Sequence, residues 1–202
     1  MSSTPRTARG RATRERILKT ATDLISERGI AGTSLDDVRA QAQVSKSQLY
    51  LYFPDREALL REVAVSTCDG VIDTQADILS EFDSLPGIER YLSALVDLQV
   101  QLERPSGCPI ASLAGQLAGQ DEQARLILAE GLDRWEAGLR RGLEALAARG
   151  ELKPDADPSL LATQTLAILQ GGLLLSQVRN DATQMRVAAD TALALIRTAL
   201  IQ

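Results

Sequence analysis

Ser45-Lys46-Ser47-Gln48-Leu49-Tyr50-Leu51-Tyr52-Phe53 (SKSQLYLYF) is the stretch whose reading decides the fold. The chain of 202 residues holds one Trp, three Tyr and two Phe. Three of these aromatics fall within four positions here, beside a Lys, two hydroxyls and an amide. Ser45 has the chemistry of a helix N-cap, and Gln48 stands three positions on, the spacing of a capping box. A short helix over about 46–52 is predicted, broken by Phe53-Pro54-Asp55.

Working outward, Ile17, Leu18, Ala21, Leu24 and Ile25 recur at helical spacing and predict one face of a helix over roughly 12–28. Gly29 stops it. Ser34, three before Asp37, opens a second short helix over about 34–41, and Asp36 and Asp37 suit its positive end. Two short helices joined by a tight turn behind a longer packing helix describe a helix-turn-helix. Asp55 then caps a fourth helix, through Leu59, Leu60 and Val63 to about Phe82.

The rest reads as helix after helix. A fifth opens at Pro86 and carries Tyr91, Leu92, Leu95, Leu98 and Leu102 before Pro105-Ser106-Gly107 ends it. A sixth runs from Pro109 to about Ala118 and a seventh from Asp121 to Ala148; Pro158 starts an eighth to about Val178, and Asn180-Asp181 a ninth to Leu200. The expected fold is all-α with about nine helices: a basic flexible arm over 1–11, a helix-turn-helix domain over 12–62 and a helical body over 63–202.

Charge divides the chain in the same way. The net charge is −5, but residues 1–62 carry a net +3 and residues 63–202 a net −8. A basic head on an acidic body points to a polyanion partner for the head alone, or to a merely solvated tail. Cys68 and Cys108 match no metal or disulfide spacing, so a reducing cytoplasm is the expected location. No His is present, and there is no nucleophile elbow and no phosphate-cradling Gly-rich loop. Catalysis, metal and cofactor are therefore not expected. The strongly apolar stretch Leu166–Leu175 is too short to span a bilayer, so no membrane partner is expected.

At this point the head resembles the N-terminal signature of TetR-family transcriptional regulators. The residues that carry it are Arg16-Ile17-Leu18, Ala21, Gly29, Gly32-Thr33-Ser34, Val38, Ala42, Val44-Ser45-Lys46, Leu49-Tyr50 and Tyr52 through Leu59. The resemblance implies a homodimer on a palindromic operator in double-stranded DNA, each third helix in one major groove. It also implies a small-molecule effector in the body, usually releasing DNA. The better expectation is a repressor, with a helical interaction protein lacking specific DNA binding as an alternative.

The candidate DNA-binding residues follow from where they fall. Lys46, Ser47 and Gln48 occupy the first turn of the recognition helix, the turn that reads bases. Gln48 can also simply close the capping box. Tyr50 and Tyr52 can bond phosphates through their hydroxyls, although one of them can equally be core; Leu49 and Phe53 read as core. Thr33 and Ser34 stand at the start of the second helix, where N–H groups favour a phosphate. Arg56 is placed for a backbone phosphate, and Arg6, Arg9 and Arg11 form an arm for backbone or minor groove. Leu51 departs from the family, where a polar or aromatic residue is common, and an apolar side chain there can touch a thymine methyl.

In the body, Ile168, Leu169, Gly172, Leu173 and Ser176 of the eighth helix, with Ala189, Leu193, Ile196 and Leu200 of the ninth, are expected at the dimer interface, against the alternative of a monomer core. An aliphatic effector pocket is expected from Leu95, Leu98, Leu102, Leu113, Leu117, Trp135 and Leu139, with Cys108 beside them and Gln99, Gln116 and Gln170 as polar orienters, for an apolar or amphipathic molecule. Most of these serve equally well as plain core. Pro109 at the first helical position places Cys108 at an N-cap, at the positive end of its helix. Cys108 is therefore read as a redox or electrophile sensor, or as a small buried residue at a tight turn.

Overall fold

A computed structural model describes residues 7–102 and 106–201. Among the described residues there are nine α-helices and no strand: α1 (Ala8–Arg28), α2 (Leu35–Gln41), α3 (Lys46–Tyr52), α4 (Arg56–Ser80), α5 (Leu85–Gln101), α6 (Pro109–Leu117), α7 (Glu122–Ala148), α8 (Pro158–Arg179) and α9 (Thr183–Ala199). The chain forms two compact units. One runs to Asp69 and adds Leu113–Ala129; the other joins Gly70–Ser112 to the chain from Glu130 onward. The division expected from the sequence, at residue 62, falls inside the first unit, which also takes in 113–129.

In the first unit α1 begins at Ala8, four residues before the expected start, because Thr7 is an effective N-cap whose hydroxyl accepts from Gly10 N at 3.1 Å. Arg9 and Arg11 therefore stand on a helix, which corrects the flexible arm over its residues 8–11; Arg6 lies outside the described residues. The expected apolar face is buried: Ile17, Ala21, Leu24 and Ile25 are at most 6% exposed. Two arginines of the basic start bind inward. Arg16 Nε donates to Ala42 O at 3.0 Å, and Arg14 pairs with Glu62 at 2.8 Å while lying 5.4 Å over the Phe53 ring.

The second unit is built on the packing of α8 against α9 and of α5 against α9. A Cβ on Gly172 would stand 2.4 Å from the Ala188 Cβ, so only glycine admits this approach. Ser176 is fully buried, and its Oγ accepts from Met185 N at 2.9 Å. Arg197 of α9 pairs with Glu89 of α5 at 2.6 Å. Asn180 ends α8 in the left-handed conformation, φ 52°. The chain end is clasped by one isolated bridge, Leu152 with Leu200, which no strand-like pattern announces. By length and mean hydropathy, 1.3, α8 is apolar enough to cross a membrane, which corrects the count taken from Leu166–Leu175 alone; eight of its residues are buried inside the unit, as in a core helix.

Candidate DNA-binding surface and interior polar site

The turn between α2 and α3 is compact. Ala42 and Val44 are buried, and Gln43 between them takes φ 52°, a left-handed conformation usually left to glycine. Both short helices open with a complete capping box. Ser34 Oγ accepts from Asp37 N at 3.1 Å and Asp37 Oδ2 accepts from Ser34 N at 2.9 Å; Ser45 Oγ accepts from Gln48 N at 3.2 Å and Gln48 Oε1 accepts from Ser45 N at 2.9 Å. Seven-residue helices are too short to hold by propensity, so these caps and the buried Val38, Leu49, Tyr52 and Phe53 fix them.

That anchoring sorts α3 into two faces. Leu49, Tyr52 and Phe53 point inward, while Lys46, Ser47, Gln48, Tyr50 and Leu51 are exposed. Tyr52 is thus the core tyrosine of the pair, and Tyr50, 42% exposed, is the one that presents its phenol. Lys46 Nζ lies 6.0 Å from the Tyr50 ring, and Ser47 Oγ is 2.9 Å from Ser45 Oγ. Arg9 and Arg11 are exposed on α1.

Three expected phosphate contacts are engaged elsewhere. Thr33 is buried and donates to Gly29 O at 2.9 Å. Ser34 is occupied by its capping box, and the same bonds hold the Asp37 carboxyl below its usual range, placing an anion where a phosphate was expected. Arg56 Nη2 donates to Ile30 O at 2.6 Å and Thr33 O at 3.3 Å, so its guanidinium satisfies loop carbonyls. Gln116, expected in the effector pocket, also serves this loop: its Oε1 accepts from Ile30 N at 2.9 Å. Leu113 and Leu117, buried, belong with it to the first unit.

The remaining pocket candidates are in the second unit. Leu95, Gln99, Cys108, Trp135 and Leu139 are buried, whereas Leu98 is 47% and Leu102 37% exposed, which takes those two out of the interior. Trp135 is held by a polar chain that the sequence did not announce. Its Nε1 donates to Tyr91 OH at 2.6 Å, and Tyr91 OH donates to Gln75 Oε1 at 2.7 Å. Tyr91 meets Phe82 edge to face, centroids 5.2 Å apart. Burial pushes the Tyr91 phenol well above its ordinary range, the Trp135 bond opposes this, and the nearby Cys108 sulfur adds to it. Cys108 caps α6 as expected, its carbonyl accepting from Ser112 N at 2.9 Å, and its Sγ accepts from Gln170 Nε2 at 3.5 Å. The preceding Gly107 has φ 71°, and a Cβ there would meet Gln177 Oε1 at 2.5 Å.

The residues expected at a subunit interface are largely internal. Leu169, Gly172, Leu173, Ser176, Ala189 and Ile196 are buried within the chain; Ile168, Leu193 and Leu200 are half-buried. Close α8–α9 packing takes the glycine and serine side of this stripe within one chain. The outward apolar residues are Leu160, Leu174, Leu175 and Val178 on α8 and Val187 on α9.

Comparison with known proteins agrees with this arrangement. Residues 17–63 match the model of bacterial regulatory proteins of the tetR family, and residues 78–192 that of the tetracyclin repressor-like C-terminal domain. The chain is 31% identical over 181 residues to an uncharacterized HTH-type transcriptional regulator of Mycobacterium tuberculosis, covering 85% of this chain and 88% of that one. It is 24% identical over 172 residues to the HTH-type transcriptional repressor DhaR of Mycobacterium sp. (strain GP1), covering 83% and 84%. A TetR transcriptional regulator from Chloroflexus aurantiacus superposes with a TM-score of 0.82 at 23% identity, covering 96% and 98%. Helix-turn-helix, helical body and both family models together make this chain a member of the TetR family of transcriptional regulators, and not an enzyme.

Proposed function

We propose that the chain is a repressor that binds a two-fold-symmetric operator as a homodimer and is released by a small apolar or amphipathic effector. One observation carries the DNA reading. On α3, Lys46, Ser47, Gln48, Tyr50 and Leu51 are exposed on a helix whose other side is locked into the core. Gln48 would read adenine, Lys46 guanine or phosphate, Leu51 a thymine methyl, and Tyr50 with Arg9 and Arg11 would hold the backbone. The name of the 24% identical relative supports repression. The dimer is assigned to the outward face of α8 and α9, around Leu174, Val178 and Val187, because exposed apolar side chains at helical spacing need a partner. A cytoplasmic location accords with such a role.

Selection of random duplex DNA by the purified protein at moderate salt tests the reading. A two-fold-symmetric consensus is expected, with log affinity falling steeply against log salt, in keeping with several phosphate contacts. Enrichment no better than non-specific binding, with a shallow salt slope, rejects it in favour of a helical interaction protein.

A second reading makes Cys108 a sensor of electrophiles, since its sulfur accepts an amide N–H from Gln170 instead of lying in hydrocarbon. Replacing Cys108 with Ser should abolish electrophile-induced DNA release; release that persists unchanged rejects this second reading.

A further inference from the structure

The amide of Gln48 is oriented before any DNA arrives. Ser45 N is a backbone donor at 2.9 Å, so the atom that faces it is the carboxamide oxygen, Oε1. Gln48 N in turn donates to Ser45 Oγ at 3.2 Å, and the pair of bonds holds the side chain against the start of its own helix. Nε2 is the polar atom left over. Among the described residues nothing accepts from it, and Gln48 is exposed on the side of α3 turned away from Leu49, Tyr52 and Phe53.

The neighbouring groups have the same polarity. Lys46 is exposed too and carries only donors, on an Nζ that lies 6.0 Å from the Tyr50 ring centroid. Ser47 Oγ and Ser45 Oγ stand 2.9 Å apart and share one hydrogen bond. No Asp, Glu, Asn or His lies within Lys46–Tyr52. Hydroxyls aside, the reading turn presents N–H donors, and its one carboxamide oxygen is already bonded.

Base edges differ in what they ask of such a turn. Adenine offers an acceptor, N7, beside a donor, the N6 amino group; guanine offers acceptors at both N7 and O6. An amide singles out adenine only by using both its atoms, an N–H onto N7 and the oxygen for N6. With Oε1 held at Ser45 N, that second bond forms only if the capping box breaks, and a helix of seven residues depends on its cap. N7 remains, and both purines carry it; a pyrimidine turns a carbon, C5, to that edge.

We infer that Gln48 reads a purine through Nε2 on N7 and does not separate guanine from adenine, so the operator carries either purine where an unrestrained glutamine would demand adenine. This rests on the operator reading above and narrows it: adenine is one of two accepted bases, and the capping box sets that breadth.

Fluorescence anisotropy with the selected operator tests it, varied at the position that loses its preference when Gln48→Ala is put through the same selection. Adenine and guanine there should bind within about threefold of each other. 7-Deazaadenine and 7-deazaguanine, in which C–H replaces the N7 acceptor, should each bind at least about tenfold more weakly, as should cytosine. Gln48→Glu keeps an oxygen for Ser45 N but has no N–H, so it should lose the purine preference and favour cytosine, whose amino group it can accept. Ser45 holds φ −72°, a value that proline adopts, and Ser45→Pro removes the N–H that holds the oxygen. That variant should favour adenine over guanine by about tenfold, whereas Ser45→Ala, which loses the same hydroxyl and keeps the N–H, should bind both alike. A wild-type preference for adenine over guanine beyond about threefold, or undiminished binding of either 7-deaza base, overturns the inference and leaves the operator reading standing. So does a Gln48→Ala selection in which no position loses its preference. Selection without a two-fold-symmetric consensus removes the operator reading itself, and this inference with it.

Discussion

Gln48 carries two tasks on one side chain. Its Oε1 closes the capping box on Ser45 N, and its amide nitrogen has no partner among the described residues. Substitution by Ala should therefore cost about 1–3 kcal/mol of operator affinity, concentrated at one base position. The same change should remove about 1 kcal/mol of stability through the lost cap. Fluorescence anisotropy with single-base operator variants, set beside urea unfolding, separates the two. Five residues earlier, Gln43 holds φ 52° at the α2–α3 turn, where a Cβ is disfavoured. Gln43→Gly should stabilise the fold by about 0.5–1 kcal/mol, a net of the relieved strain over the extra freedom of unfolded glycine. The urea midpoint checks it, and a fall in midpoint would show that the turn bears no strain. Thr33 and Arg56 show what position in sequence leaves out at this scale. Both stand at helix starts suited to phosphates, yet their donors close the loop carbonyls of Gly29, Ile30 and Thr33.

At the scale of elements, the start of α7 is fastened to α4 inside the first unit. Arg61 Nε donates to Asp121 Oδ2 at 2.8 Å, while Asp121 Oδ1 accepts from Gln123 N and Ala124 N at 2.9 and 3.1 Å. The Arg61 bond is the largest of the causes that hold the Asp121 carboxyl below its usual range. A depressed carboxyl contributes stability above its unfolded value, near 4, and loses it as pH falls through the lower folded value. Asp121→Asn keeps a good helix cap and removes the charge, so stability should fall at neutral pH and the loss in the acid range should flatten. Urea unfolding between pH 2 and 7 reads this, and parallel acid limbs for the two proteins would rule it out. The helices themselves were legible: Gly, Pro, Ser and Asp punctuation placed α3 to the residue and most other ends within a few positions, because caps are local chemistry. The early start of α1 was missed because an Arg-rich run was taken for an arm, although Ala and Arg favour helix and Thr7 caps it.

For the whole molecule, the proposed assembly rests on the outward side of α8 and α9. Leu174 is 58% and Val178 74% exposed, whereas Leu169 is fully buried. Leu174→Glu should halve the mass in solution toward the 21.8 kDa of one chain while leaving far-UV circular dichroism intact. Leu169→Glu should instead unfold the second unit, since it puts a charge in the core. Light scattering on size-exclusion separates these outcomes, and an unchanged mass for Leu174→Glu would move the interface elsewhere. Both stripes are apolar and both have helical period, so periodicity alone could not choose between them.

The sequence by itself determined the helical class, the order of the helices and the inward Leu49 and Phe53 of α3, because these follow from short-range patterns: spacing of apolar residues, caps and breakers within a few positions. It also supplied the family, through the head. Only the tertiary structure decided which side of α8 meets α9, that Gln116 and Arg56 close the loop after α1, and that Gln99 and Gln170 bury an oxygen with no hydrogen-bond partner among the described residues. Those facts join residues tens of positions apart. A glycine fits a particular alanine, or a carboxamide finds a particular N–H, only once packing has set the distance between them.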